Sequence, residues 1–247
     1  MGSFTKYLGA SIGWSFGGPI GAIVGFVLGS VVDGLGDSKR NQGQNRPFNK
    51  PQRTQSGDFE ISLLILAAVV IKADGKVDQR ELSYVREQFT RMYGEERASH
   101  AFKLFNGIIK KKDISTRQVC MQIRQNMEHA SRLQLIHFLF GIAKSDAHVS
   151  KSEVEMIQKI AGYLYINNRD FESIKAMFYS STNNAYKILE IDKSVSDSEV
   201  KKAHRRLVKK HHPDKLQHLG KEHMKGADEK FRQIQKAYED IQKERRM

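Results

Sequence analysis

The chain has 247 residues, enough for one large domain or for two small domains with connecting segments. Its 41 lysines and arginines against 28 aspartates and glutamates give a net charge of +13, which favours acidic partners such as anionic lipid, nucleic acid or an acidic protein surface. Cys120 is the only cysteine. This excludes an internal disulfide framework and a multi-cysteine zinc site, and it fits a reducing compartment.

Residues 1–36 differ in composition from the rest of the chain, because no charged side chain occurs between Lys6 and Asp33. A helix over residues 7–32 would be about 39 Å long at about 1.5 Å per residue, enough to cross a bilayer core of about 30 Å. Glycine recurs at every fourth position: Gly9, Gly13, Gly17, Gly21, Gly25 and Gly29. In lipid, a glycine face lets two helices approach closely. Residues 1–36 are therefore predicted to be a glycine-zipper membrane anchor through which two copies of the chain dimerise.

The shape and orientation of this anchor follow from its turn residues and its flanks. Gly17-Gly18-Pro19 leaves two shapes open, a single helix or a kinked hairpin. A signal peptide fits poorly, since it usually has a shorter apolar core and a small-x-small cleavage site. Positive residues follow the segment at Lys39, Arg40, Arg46, Lys50 and Arg53, whereas Lys6 precedes it. Because positive charge stays on the cytoplasmic side, we expect a single-pass protein whose bulk is cytoplasmic.

Residues 37–57 are polar, basic and poor in apolar side chains. This composition predicts a disordered linker, whose positive charges would lie against anionic lipid headgroups. Residues 58–180 then show helical spacing throughout. Apolar residues recur three and four apart in QLIHFLFGIAK and EVEMIQKIAGYLY, and no segment alternates as a strand would. The fold class predicted for this region is all-α.

A motif in this region, KADGKVDQREL, recurs 72 residues later as KSDAHVSKSEV. Each copy follows an apolar helix and opens an amphipathic one. Asp78 and Ser150 are placed to cap the following helices, and Glu81 and Glu153, three residues later, complete two capping boxes. The repeat therefore predicts two equivalent helix–turn–helix corners.

Metal binding is the functional alternative for these corners, since they carry four candidate carboxylates: Asp74, Asp78, Asp146 and Glu153. An EF-hand needs a twelve-residue loop with ligands at alternate positions, which DGKVDQRE does not supply. Helix capping accounts for these residues, so no metal site is predicted. The paired corners resemble those of the tellurite-resistance TerB-like family. That resemblance implies a compact helical bundle that senses a signal or binds a partner.

Residues 183–247 contain four pieces in order. AYKILEI predicts a short apolar helix, and Ser196-x-x-Glu199 opens a basic helix that ends at HHPDKL. The last piece, ADEKFRQIQKAYEDIQKERR, predicts a long amphipathic helix. The inward stripes are Val200, Ala203 and Leu207 on the basic helix and Phe231, Ile234, Ala237, Tyr238 and Ile241 on the last one. An antiparallel hairpin packed through them would leave His212-Pro213-Asp214 exposed at its tip.

The sequence YKILEI…SDSEVKKAHRRLVKKHHPDK…KFRQIQKAYEDI is similar over its whole length to the J domain of DnaJ-type co-chaperones. The tripeptide is specific because it stands between a basic helix and an apolar helix that carries KAYE. The resemblance implies docking on the ATP-bound state of an Hsp70 chaperone and acceleration of its ATP hydrolysis. The residues it implies for Hsp70 binding are Lys201, Arg205 and Arg206 on the basic helix and His212, Pro213, Asp214 and Lys215 at its end.

Two histidines depart from the J-domain pattern. His204 and His211 stand where many J domains have tyrosine, and the change at 204 is expected to remove a phenolic contact from the docking face. The resemblance implies no catalytic residue and no cofactor in this chain, since the hydrolytic site belongs to the Hsp70. Generic client capture is not expected, because the sequence has no Gly/Phe-rich stretch and no CxxCxGxG repeats.

The order of glycine-rich membrane segment, TerB-like domain and J domain resembles the membrane-anchored bacterial J-domain co-chaperones. The resemblance implies an inner-membrane protein that recruits a DnaK-type Hsp70. The alternative is an envelope-stress sensing or scaffold protein that acts mainly through its TerB-like domain. Nucleic-acid binding is disfavoured, because the basic residues lie in the linker and the docking helix without an aromatic base-stacking platform. No nucleophile–base pair or phosphate loop indicates an enzyme.

Overall fold

A computed structural model describes residues 17–29, 56–111, 113–145, 149–179, 184–219 and 221–247. Within these residues the chain forms helices and no strand, which confirms the all-α fold class. The α-helices are α1 (17–29), α2 (Ser56–Ile71), α3 (Gln79–Tyr93), α4 (Glu95–Lys110), α5 (Thr116–Asn126), α6 (His129–Ala143), α7 (Lys151–Tyr163), α8 (Asn168–Ala176), α9 (Asn184–Ile188), α10 (Asp197–Lys210) and α11 (Lys221–Arg245). A 3₁₀ helix, Pro213–Leu219, lies between α10 and α11.

Helices α2 to α8 form the larger of two bundles, and α2 and α6 are its central elements. Both are apolar around most of their circumference, and nearly every residue from 62 to 71 and from 133 to 143 is buried. A helix that is apolar on all sides is stable only inside a protein. The amphipathic helices α3, α4, α5, α7 and α8 turn one apolar face each toward this centre.

Helices α9 to α11 form a smaller unit with its own apolar core. The stripe predicted on the basic helix, Val200, Ala203 and Leu207, is buried in α10. Ile234, Ala237 and Ile241 of α11 are buried against it, while Phe231 and Tyr238 are half-buried. Tyr186 and Leu189, from α9 and the turn after it, complete this core. The antiparallel hairpin therefore packs through the predicted stripes.

Helix α1 lies in a groove between α4 and α5. The Gln122 side chain of α5 binds the backbone at the start of α1. Its Nε2 donates to the Gly17 carbonyl at 2.7 Å, and its Oε1 accepts from the Ile20 amide at 2.9 Å. On α4, a Cβ at Gly107 would lie 2.3 Å from Cγ1 of Val27, so only glycine admits this close approach. Val27 is buried in the larger core as a result.

The predicted membrane anchor lies partly outside the described residues. Gly17, Gly21, Gly25 and Gly29 are in α1, whereas Gly9 and Gly13 are outside the described ranges. Among the helices that the structure describes, none has the length and apolar character needed to cross a membrane. Dimerisation through the glycine stripe, the shape of residues 7–32 and the bounds of the four predicted segments stay predictions.

Candidate functional site

Helix α10 carries the predicted docking residues, and a capping box fixes where it begins. The Ser196 hydroxyl accepts a hydrogen bond from the Glu199 amide at 3.4 Å, and Glu199 Oε2 accepts from the Ser196 amide at 2.9 Å. Acidic residues in the first turn and Lys209 and Lys210 in the last turn suit the helix macrodipole. The predicted capping box is confirmed, and it sets which faces of α10 turn outward.

With Val200, Ala203 and Leu207 buried, the helical period turns the basic residues toward solvent. Lys201 and Arg205 are exposed, and Arg206 is exposed while its Nη2 donates to Glu190 Oε2 at 3.1 Å. These three residues are the ones that the sequence predicts for the docking face. They place positive charge on the outward surface of α10.

The His-Pro-Asp tripeptide forms a sharp turn at the end of α10. Pro213 has no amide hydrogen and starts the 3₁₀ helix, in which the Lys215 amide donates to the His212 carbonyl at 3.0 Å. Nδ1 of His212 lies 3.3 Å from both the amide nitrogen and Oδ2 of Asp214. The side chains of His212 and Asp214 are 46% and 64% exposed. The turn therefore presents an imidazole and a carboxylate side by side to solvent, with the exposed Lys215 next to them.

The two histidines that depart from the J-domain pattern both turn inward. His204 stacks on Tyr238 with ring centroids 4.1 Å apart, and its Nε2 lies 3.1 Å from Gln235 Oε1. It thus joins α10 to α11. His211 is buried, and burial lowers its pKa well below the usual value. Neither ring lies on the outward face with Lys201 and Arg205.

Two buried carboxylates near α10 had no signal in the sequence. Asp170, in the first turn of α8, lies beside His129 Nε2 at 3.2 Å and also accepts from Lys210 Nζ. Burial opposes its ionisation, but the hydrogen bonds from His129 and Lys210 hold its pKa below the usual range. Glu190, after α9, accepts from Arg206 and Lys210. Burial raises its pKa. In the sequence both residues look like ordinary surface acids of a helix end and a turn.

The predicted helix–turn–helix corners are confirmed as capping boxes on α3 and α7. Both glutamates are buried and face each other, and burial together with the Glu153 hydrogen bond raises the pKa of Glu81 to about 8. Asp74 accepts from the Lys76 amide at 2.9 Å, and Asp146 lies outside the described residues. The described part of the chain holds no group of three or more metal-ligand side chains. At these corners, Asp78 and Glu153 act as helix caps.

The fold and the turn define a class of protein. The DnaJ domain family model matches residues 184–247, the hairpin with its exposed His-Pro-Asp turn, so the chain is a J-domain protein. The model of the tellurite resistance protein TerB matches residues 60–176. The model of the co-chaperone DjlA transmembrane domain matches residues 1–47. Together these matches cover the same order of segments that the sequence predicts.

Curated relatives narrow the class to one family. The co-chaperone protein DjlA of Vibrio cholerae is 30% identical over 78% of this chain and 80% of its own length. The DjlA of Coxiella burnetii is 29% identical over 81% of this chain and 82% of its own length. The chain belongs to the DjlA co-chaperone family. The C-terminal region alone is also similar to the chaperone protein DnaJ of Mesomycoplasma hyopneumoniae, at 49% identity over 24% of this chain and 16% of that protein. No solved structure matches the chain.

Proposed function

We propose that this protein is a membrane-anchored co-chaperone that recruits a DnaK-type Hsp70 and stimulates its ATP hydrolysis. The observation that carries the proposal is the exposed His212-Pro213-Asp214 turn at the end of a basic helix within a J domain. The direct test is single-turnover ATP hydrolysis by a DnaK-type Hsp70, with and without the full chain in lipid vesicles. A rate increase supports the proposal. A hydrolysis rate that stays unchanged at every concentration of the chain contradicts the proposal.

In this mechanism the chain changes the state of the Hsp70, and the hydrolytic groups belong to the Hsp70. Exposed positive charge on α10 attracts an acidic protein face over a Debye length of about 8–10 Å and raises the rate of encounter. The 3₁₀ helix holds the Asp214 carboxylate in place before contact, so little conformational freedom is lost on binding. Asp214 then accepts a hydrogen bond from a cationic group of the Hsp70, and Lys215 supports this contact.

Neutralising the outward face of α10 should slow encounter with the Hsp70. For the double variant Lys201→Gln with Arg205→Gln, we expect the association rate at low salt to fall about tenfold, because electrostatic steering is lost. The salt dependence of that rate should flatten. Stopped-flow binding to ATP-bound Hsp70 at several salt concentrations measures both effects.

The matched control neutralises two exposed lysines of the larger bundle, Lys103 on α4 and Lys159 on α7. Lys103→Gln with Lys159→Gln changes the net charge by the same amount and should keep most of the steering. Equal losses in the two double variants would mean that overall charge drives encounter, and they would remove α10 from the docking face.

The membrane and dimer parts of the proposal rest on the family match to residues 1–47 and on the glycine stripe. We expect the full chain to float with vesicles of bacterial inner-membrane lipid, with its J domain accessible to added protease when it is reconstituted facing outward. Energy transfer between labelled copies should fall in Gly21→Leu with Gly25→Leu. It should persist in Ala22→Leu with Val24→Leu, which lie off the stripe. If the unaltered chain floats with the vesicles but shows no energy transfer, the segment anchors the protein as a monomer and the dimer is contradicted.

A further inference from the structure

The chain on both sides of the His-Pro-Asp turn is held by the TerB-like bundle, the helices α2 to α8. Lys210, two residues before the tripeptide, donates to the Asp170 carboxylate of α8. Leu216, two residues after it, is buried in the core of the TerB-like bundle, and α2 and α6 pack against its 3₁₀ helix. The exposed turn therefore lies at the edge of a junction between the two domains.

An ionic network closes this junction. Asp170 belongs to the TerB-like bundle and Glu190 to the J domain, and their side chains are only 1% and 4% exposed. The Lys210 ammonium contacts both, at 3.4 Å from Glu190 Oε1. Arg169 of α8 adds a bond across the junction, from its Nε to the Glu190 carbonyl at 3.1 Å. Two buried acids, one from each domain, thus share one ammonium group.

The junction also buries three titratable side chains, and two of them have a ring nitrogen that its contacts do not satisfy. His137 of α6, His211 directly after α10 and Lys230 of α11 are all nearly inaccessible to solvent. Within the described residues, His137 Nε2 and His211 Nδ1 have no hydrogen-bond partner. A buried polar atom without a partner opposes burial, and opening the junction would return these atoms to water. The ionic network therefore holds the junction closed against this penalty, which lowers the free energy needed to open it.

We propose that the junction of Asp170, Glu190, Lys210 and Leu216 is a latch, in which the TerB-like bundle and the Hsp70 compete for the tip of the J domain. This inference rests on the proposed function. A specific protein interface covers about 800 Å² per partner, or roughly 20–30 residues. A contact area of that size, centred on the turn, extends over Lys210 and Leu216, which the bundle already covers. The latched protein presents the turn for a first contact, and full engagement requires the bundle to leave.

The test uses Asp170→Asn in the full chain, because this change lies in the TerB-like bundle and leaves the J-domain sequence intact. Loss of the charge that holds Lys210 should release the tip. We expect the chain concentration for half-maximal ATPase stimulation to fall about tenfold, the order expected from losing one charge-assisted hydrogen bond. Asp113→Asn, at an exposed position between α4 and α5, is the matched control and should behave as the unaltered chain.

Opening is measured separately by the distance between spin labels on Glu155→Cys of α7 and Lys236→Cys of α11, both exposed positions. Cys120 is buried and its thiol pKa is raised to about 12 by burial, so it stays unlabelled. Asp170→Asn should broaden the distance distribution. Arg169→Gln, a half-exposed side chain whose loss does not threaten folding, should act in the same direction with a smaller effect.

The possible results separate the latch from the function on which it rests. No stimulation by any form of the chain overturns the co-chaperone function. Stimulation with equal half-maximal concentrations for the unaltered chain and an opened variant overturns the latch alone. A narrow distance distribution in both Asp170→Asn and Arg169→Gln overturns the assignment of these residues to it.

Discussion

Asp214→Asn should strongly weaken stimulation of Hsp70 ATP hydrolysis while leaving the J domain folded. Asp214 is exposed at the first turn of the 3₁₀ helix, outside both apolar cores. The substitution keeps the size of the side chain and removes its charge. A hydrogen bond between charged groups contributes about 1.5–3 kcal/mol, so its loss should weaken stimulation about 10- to 100-fold. Single-turnover hydrolysis over a range of chain concentrations measures this change.

Two further variants decide what a loss of activity would mean. Asp240→Asn makes the same substitution at an exposed position of α11 and should keep full stimulation. His212→Gln removes the imidazole next to Asp214 and should also lose stimulation, because Nδ1 lies 3.3 Å from the Asp214 carboxylate and helps to place it. If Asp214→Asn stimulates as well as Asp240→Asn does, the turn is not the element that engages the Hsp70.

The sequence predicts the hairpin and its caps well, because these depend on residues close together in the chain. The stripe of Val200, Ala203 and Leu207 follows from the helical period alone. Ser196 and Glu199 satisfy backbone groups within a single turn, so the S-x-x-E pattern suffices to predict the capping box. The same reasoning identified the corners of the larger bundle, where Asp78 and Ser150 cap α3 and α7.

The contacts at the junction between the domains could not be predicted from the sequence, for a physical reason. Asp170 and Lys210 are 40 residues apart, and each is typical of a solvated helix end when considered alone. Leu216 follows a turn that the sequence predicts to be exposed, yet it belongs to the core of the other domain. Such contacts depend on how two folded surfaces fit together. Neither the helical period nor a local capping motif predicts how two such surfaces pack together.

The seating of α1 shows the same limit. The residues after Gly17 suggest an apolar segment suited to lipid, and the family match at residues 1–47 agrees with that prediction. The structure seats this helix against Gln122 and Gly107, which lie 105 and about 80 residues further along the chain than Gly17 and Val27, the residues they contact. Nothing in the composition of the segment indicates that a groove between α4 and α5 accepts it.

Acidification is the second change with a large expected effect, and it should open the latch. Burial lowers the pKa of Lys230 from 10.5 to about 7, with the nearby Lys210 adding to the effect. Burial also lowers the pKa of His137 from 6.5 to about 3 and that of His211 well below 6.5. These bases face one another and Asp170 from α6, α8, α10 and α11. They are neutral in the latched state at pH values where free side chains would carry charge.

The sign follows from proton linkage. Released Lys230 binds a proton below about pH 10.5 and released histidines do so below about pH 6.5, so the released state gains protons as pH falls. The free energy that Lys230 contributes toward release grows as the pH falls to about 7 and then stays constant. The contribution of His137 toward release begins below about pH 6.5 and grows down to about pH 3. The ionised Asp170 carboxylate stabilises the latched state. Because its pKa is lowered, it keeps its charge over this pH range and is protonated only at lower pH. Glu190, whose pKa burial raises, acts in the opposite direction and offsets part of the effect.

Between pH 8 and pH 5.5, His137 should shift the latch equilibrium about tenfold toward release, since its pKa is about 3 in the latched state and pH 5.5 is about one unit below its free pKa. His211, whose pKa burial also lowers, should shift it in the same direction. Spin-label distances between positions 155 and 236, measured at the two pH values, should broaden on acidification. His137→Phe keeps the ring contact with Phe178, whose centroid lies 4.8 Å away, and removes the titrating group. Between the two pH values, the change in the latch equilibrium constant of this variant should therefore be about tenfold smaller than that of the unaltered chain. An equal response in the two proteins would place the pH sensitivity elsewhere, and no response in either would show that the buried bases do not control the latch.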